Sequence, residues 1–115
     1  MLSWEQIQTH CLAQKCAAED FPFGDDVPVY KVKGKMFALV AASPNLRITL
    51  KCDPYKAEML RDMYPAVQAG YHMNKRHWNT ITIDGSIADD ELLAMIDDSY
   101  QLVVKGLKQA EREQL

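Results

Sequence analysis

Apolar residues recur at helical spacing at the start of the chain, alternate in its middle, and return to helical spacing at its end. Ser3-Trp4-Glu5-Gln6 has capping-box form, with Ser3 as N-cap and Gln6 reaching back to it. Trp4, Ile7, Cys11 and Ala18 follow on one face, which predicts a first helix over about 3–18, with His10 beside the stripe as a structural side chain. Pro22 and Gly24 break the pattern, so 19–26 reads as a loop whose Phe21 and Phe23 plug the end of the core.

Residues 27–32 and 35–42 are β-branched and apolar runs joined at Lys33-Gly34, the form of a hairpin. Pro28 cannot donate to a ladder, which places the start of the first strand at a sheet edge. From Leu46 to Cys52 the alternation is strict, with Leu46, Ile48, Leu50 and Cys52 inward and Arg47, Thr49 and Lys51 outward. This predicts a sheet with one buried face and one wet, basic face.

Asp53-Pro54 opens a short helix as N-cap and first helical residue, and Pro65 ends it after Ala57, Leu60 and Tyr64 have lined one side. Residues 66–70 read as a connector and 78–83 as the last strand. Ser86 to Asp89 has a capping pattern and opens a long helix over about 88–112, striped by Leu92, Ile96, Tyr100, Val103 and Leu107. The element order therefore indicates an α+β domain spanning residues 1–115.

Composition changes this picture little, but the distribution of charge changes it a good deal. Hydrophobic residues at 48% and charged residues at 25% are ordinary globular values, and the chain is long enough for a core without disulfides or metal. No apolar run approaches the roughly 18 residues of a membrane helix. Three cysteines in no metal-type spacing, and no secretory signal at MLSWEQIQTH, suggest reduced thiols and a cytoplasmic protein. Net charge is −3, yet residues 31–83 carry nine Lys/Arg against three acids, between acidic ends. A basic block of this kind steers anionic partners regardless of the total.

The chemistry concentrates in residues 70–83, GYHMNKRHWNTITI. Lys75 and Arg76 suit phosphates, Asn74 and Asn79 suit base edges, and Tyr71 and Trp78 offer rings for stacking, with His72 and His77 beside them. The two histidines lack the further ligands that structural zinc requires, and no carboxylate between Asp62 and Asp84 orients either ring for catalysis. Glycine-rich phosphate loops, HExxH and GxSxG are absent, so neither cofactor nor metal is expected and the chain does not read as an enzyme. Cys52, just before a helix start, has a setting that can lower a thiol pKa, although its inward parity favours burial.

The blocks EDFPFGDDVPVYKVKGKMFAL, LKCDP, YPAVQAGYHMNKRHWNTI, DG and DDSY together resemble the MmcQ/YjbR family of small bacterial proteins, in order from about residue 10 to 107. The resemblance implies a CyaY-like two-layer sandwich: a twisted antiparallel sheet packed on one face by the N- and C-terminal helices, its other face open. It also implies DNA binding through a double-wing motif, with no catalytic residue to carry over; a monomer is expected. Contacts would come from His72, Asn74, Lys75, Arg76, His77 and Trp78, joined by Arg47 and Lys51 on the sheet, with Lys33 and Lys35 adding charge at a wing. The alternative is a protein- or small-ligand-binding module that uses the open sheet face. Iron binding by analogy with frataxin-type domains is weak, because Glu19, Asp20, Asp25 and Asp26 do not form a helical ridge.

Overall fold

The computed structural model describes residues 1–70 and 73–115. Its elements run α1 (Trp4–Leu12), β1 (Ala17–Asp20), β2 (Val29–Val32), β3 (Lys35–Ala41), β4 (Arg47–Lys51), α2 (Pro54–Met63), β5 (Val67–Ala69), β6 (Trp78–Thr82), α3 (Asp89–Lys105) and α4 (Gln109–Glu113). The strands form one antiparallel sheet in the order β1-β2-β3-β4-β6-β5. Helices α1, α2 and α3 pack against one face of it, in the two-layer α+β arrangement that the resemblance implies. Among the described residues no helix is long and apolar enough to cross a membrane.

Side-chain parity builds the core. Ile48 and Leu50 of β4 and Ile81 of β6 turn toward the helices, each 2% exposed, and meet Ile96, Tyr100 and Val103 of α3. Phe37 stands edge-on to Tyr100 with ring centroids 5.3 Å apart. The β2–β3 ladder slips between Tyr30 and Lys31, leaving Phe37 without a counterpart, so Phe37 and Ala38 are consecutive yet both wholly buried. The hairpin tip follows the expected chemistry, with Lys33 at φ 50° and Gly34 at φ 78°.

At the bulge the sheet borrows a side chain. Ser99 of α3, fully buried, accepts from the Lys51 amide at 2.8 Å and donates to the Phe37 carbonyl at 2.6 Å. Phe37 and Lys51 are the next two residues in register after Ala38 and Leu50. The hydroxyl thus stands where a direct ladder bond would close, and ties the helix layer to the root of Lys51.

Several expectations are corrected. The capping box at Ser3 and Gln6 is present, but α1 stops at Leu12 rather than about residue 18. Cys16 takes a left-handed φ of 61°, and Ala17–Asp20 then pairs with β2 as an edge strand. The hydrogen bonds offered by an adjacent strand outweigh the modest helix preference of two alanines. Consequently β2 is not an edge strand, and Pro28 lies buried just before it, its carbonyl accepting from Val40. Phe21 and Phe23 do not plug the core: they are 43% and 66% exposed. Residues 67–69 are a strand and not a connector, bonded to β6 along the other edge.

At the C-terminal end, α3 ends at Gly106 and a separate α4 follows, with Leu107 tucked into the core between them. No side chain caps α3 at Ala88, because Ser86 bonds back to Asp84 instead.

Candidate nucleic-acid interface

Alternation on β4 and β6 sets residues in matched rows on the face away from the helices. Arg47 lies opposite Thr82, Thr49 opposite Thr80, and Lys51 opposite Trp78. Arg47 and Lys51 are four residues apart on one strand, or roughly 13 Å. Ala41 and Leu39 of β3 extend the first two rows to one side, and Gln68 of β5 extends the second to the other.

The β1–β2 connection raises Phe23 and Val27 over the Arg47 end, and Met73 stands with the opposite wall. Together they enclose a concavity of about 640 Å³. Among the described residues lining it, Arg47 is the one that carries a charge.

Arg47, Thr49 and Thr80 on this floor each have a local reason for their pose. The Arg47 guanidinium donates to the Ser43 carbonyl at 2.9 Å and, through Nε, to the Asn45 carbonyl at 3.4 Å. The loop thereby holds a fork of five N–H donors in place while consuming only part of it. Thr49 and Thr80 share a hydroxyl–hydroxyl bond of 2.9 Å, which leaves one O–H of the pair to donate elsewhere.

The basic turn is built at the Lys51–Trp78 end. Asn74 Oδ1 accepts from the Arg76 amide at 3.1 Å, and the Asn74 carbonyl accepts from His77 N–H at 3.0 Å. The His77 carbonyl in turn accepts from Cys52 N–H at 2.7 Å, pinning the turn to the end of β4. Lys75 and Arg76 project from its exposed tip, while His77 and Trp78 are half-buried.

Thus Asn74, Lys75, Arg76, His77, Trp78 and Lys51 gather at one end of the open face, and Arg47 anchors the other. His72, and with it Tyr71, lies outside the described residues. Asn74 serves first to form the turn, its oxygen committed to Arg76.

Asn79 is a correction. It is 2% exposed on the helix side of β6, where Nδ2 donates to the Ala57 carbonyl at 3.2 Å, so it cannot meet a base edge. Cys52 is half-buried, and burial pushes its thiol pKa up, the reverse of an activated thiol. Lys33 donates to Gln114 at 2.9 Å, and the Lys31–Asp20 pair at 2.9 Å engages a further cation of the same hairpin. Among the described residues no three His, Cys, Asp or Glu side chains converge to hold a metal ion. No sequence motif marks the concavity or the place of Phe23 beside it. Their only sequence signal was an aromatic in a loop rich in Pro and Gly.

Gly70 sets how closely the two strands below the turn approach. Its N–H donates to the Trp78 carbonyl at 2.9 Å, and a Cβ at this position would stand 3.0 Å from Trp78 Cβ and 3.2 Å from its carbonyl oxygen. Gly70→Ala is therefore expected to cost about 1–3 kcal/mol, the usual penalty of forced overpacking. Gly106→Ala, whose Cβ would meet nothing nearer than 3.5 Å, serves as the control and should be close to neutral. Urea denaturation measures both, and equal costs would remove the special role assigned to Gly70.

The YjbR family model matches residues 12–102. The uncharacterized protein YbdF of Escherichia coli O157:H7 is 42% identical over 98 residues, covering 82% of this chain and 76% of its own. The uncharacterized protein YjbR of Escherichia coli K12 is 32% identical over 111 residues, covering 96% of this chain and 94% of its own. In three dimensions the crystal structure of a Deinococcus radiodurans protein superposes with a TM-score of 0.92 at 37% identity, over 99% of this chain and 88% of that one. A Pseudomonas syringae protein gives a TM-score of 0.76 at 27% identity, over 88% and 98%. With the motif blocks, the layered fold and these matches in agreement, the chain belongs to the YjbR family.

Proposed function

We propose that the chain is a non-enzymatic, monomeric cytoplasmic protein that binds DNA across its open sheet face and the turn at 74–77. The observation that carries this reading is the separation of charge between the helices and strands β2 to β6. Helices α1, α2 and α3 hold eight Asp or Glu and three Lys or Arg, a net of −5. The six strands hold Lys31, Lys35, Arg47 and Lys51 against Glu19 and Asp20, a net of +2 with both carboxylates on the edge strand β1, and Lys75 and Arg76 extend the basic field of β2 to β6 at the turn. The overall charge of −3 therefore conceals a basic strip on β2 to β6 and the turn, with carboxylates on the helices, on β1 and at Asp25 and Asp26, and only that strip would meet phosphates.

The test is fluorescence anisotropy of labelled DNA at about 50 and 200 mM salt. Each phosphate neutralised contributes a slope of about −0.9 in log K against log salt. Lys75→Ala/Arg76→Ala should weaken binding and flatten that slope by about 1.8, with an unchanged melting temperature. Absence of binding at the lower salt would refute the reading.

A second reading follows from the apolar share of the concavity, where Phe23, Val27, Leu39 and Met73 suit a protein segment or a small ligand. In that case Ala41→Glu abolishes capture of the partner, and Lys75→Ala/Arg76→Ala leaves it intact.

A further inference from the structure

We infer that the preferred ligand of this face is a single strand, with an unstacked base seated in the concavity between Phe23 and Met73. The inference rests on the nucleic-acid reading above and narrows it. A duplex exposes its bases only as edges at the bottom of grooves, and proteins read them by inserting something convex, a helix or a ribbon. The open face does the opposite. It is a hollow of about 640 Å³, within the range of roughly 300–1,000 Å³ that encloses a small molecule, so a planar base fits and a groove edge cannot reach the floor.

The floor has the chemistry a base requires. Leu39 and Ala41 offer an apolar surface, while Thr49 and Thr80 share a hydrogen bond that leaves one donor over. Phe23 is 66% exposed beside the hollow, a ring that packing in its own chain does not explain. Arg47 at that end and Lys51 at the other flank the floor at a spacing of roughly 13 Å, about two backbone steps of an extended strand, suited to phosphates that bracket the seated nucleotide and its neighbour. Aromatic stacking with flanking cations is how sheet surfaces hold single strands, because every base has a face to stack.

Three labelled probes of about 12 nucleotides separate the possibilities by anisotropy at about 50 mM salt: a mixed-sequence single strand, the same strand with abasic sites in place of its central bases, and the matching duplex. The intact strand is expected to bind about tenfold more tightly than either of the others, the effect of one stacked base. Phe23→Ala, at a position too exposed to matter for folding, should erase most of that advantage, so that the variant holds intact and abasic strands about equally. Equal affinity for intact and abasic strands, or a preference for duplex, overturns the inference and leaves DNA binding in place as a purely phosphate-directed contact. Failure of all three probes to bind overturns both readings together.

Discussion

Ser99→Ala is expected to lower the unfolding free energy by about 2–4 kcal/mol, because two buried backbone groups lose their partner at once. The Lys51 amide and the Phe37 carbonyl face each other across the bulge with only the Ser99 hydroxyl between them. Each orphaned group costs about 1–3 kcal/mol in a site closed to water. In thermal unfolding this corresponds to a fall in Tm of roughly 10 °C or more. Ser86→Ala, which removes an exposed loop contact, should stay within about 0.5 kcal/mol. A loss that small at Ser99 would mean that β3 and β4 can close and bond directly, and that the hydroxyl is no more than a spacer. The same variant probes the open face, since Lys51 is rooted at this bond.

Alkaline conditions should destabilise the chain steeply, and Cys11 is a principal reason. It is wholly buried in the core, and burial, with the nearby Asp97 adding to it, pushes its thiol from 9.0 to about 12. Between those values the folded chain keeps a proton that the unfolded chain has lost. The stabilisation is complete below pH 9.0 and falls away as pH rises toward about 12. The slope is about 1.4 kcal/mol per pH unit, or about 4 kcal/mol across the window. Tyr30 acts in the same direction: burial, then its hydrogen bond to Glu19 at 2.8 Å, raises its phenol. Urea melts at a series of pH values above 8 measure the decline. Cys11→Val should remove one proton's share of the slope and retain the part due to Tyr30. An unchanged slope in that variant would show that Cys11 contributes nothing to the alkaline limb.

Local signals located most of the elements. Ser3 with Gln6, Asp53 with Pro54, Lys33-Gly34 and the alternation from Leu46 to Cys52 each carry their own short-range chemistry, and each has its counterpart in the structure. The failures lie where a distant partner decides. Ala17–Asp20 has no strand pattern of its own and becomes one because β2 offers a ladder. Val67–Ala69 is too short to declare itself and is held by β6. Phe21 and Phe23 look like core residues in composition, yet the loop carries them outward.

The candidate site divides in the same way. The cations and rings of 74–78 stood out from the chain, since their types alone suggest phosphates and bases. Asn79 did not separate itself from Asn74 by type. One residue of alternation buries it against Ala57 on the helix side, while Trp78 and Thr80 face outward. The bulge at Phe37, the Ser99 hydroxyl that spans it and the hollow under Phe23 each join segments far apart in the chain.

By itself the amino-acid sequence determined the α+β class, the helix caps at Ser3 and Asp53, the hairpin turn, the two faces of β4 and the basic character of the central segment. Those properties follow from spacings of two to four residues, over which backbone geometry and side-chain type act directly. Tertiary structure alone decided the edge strands, the bulge, the placing of acidic helices behind the basic strands β2 to β6, and the hollow between Phe23 and Met73. Each depends on which distant segments are brought together, and the energy that selects it comes from ladder hydrogen bonds and buried contacts formed only when the sheet closes against the helices.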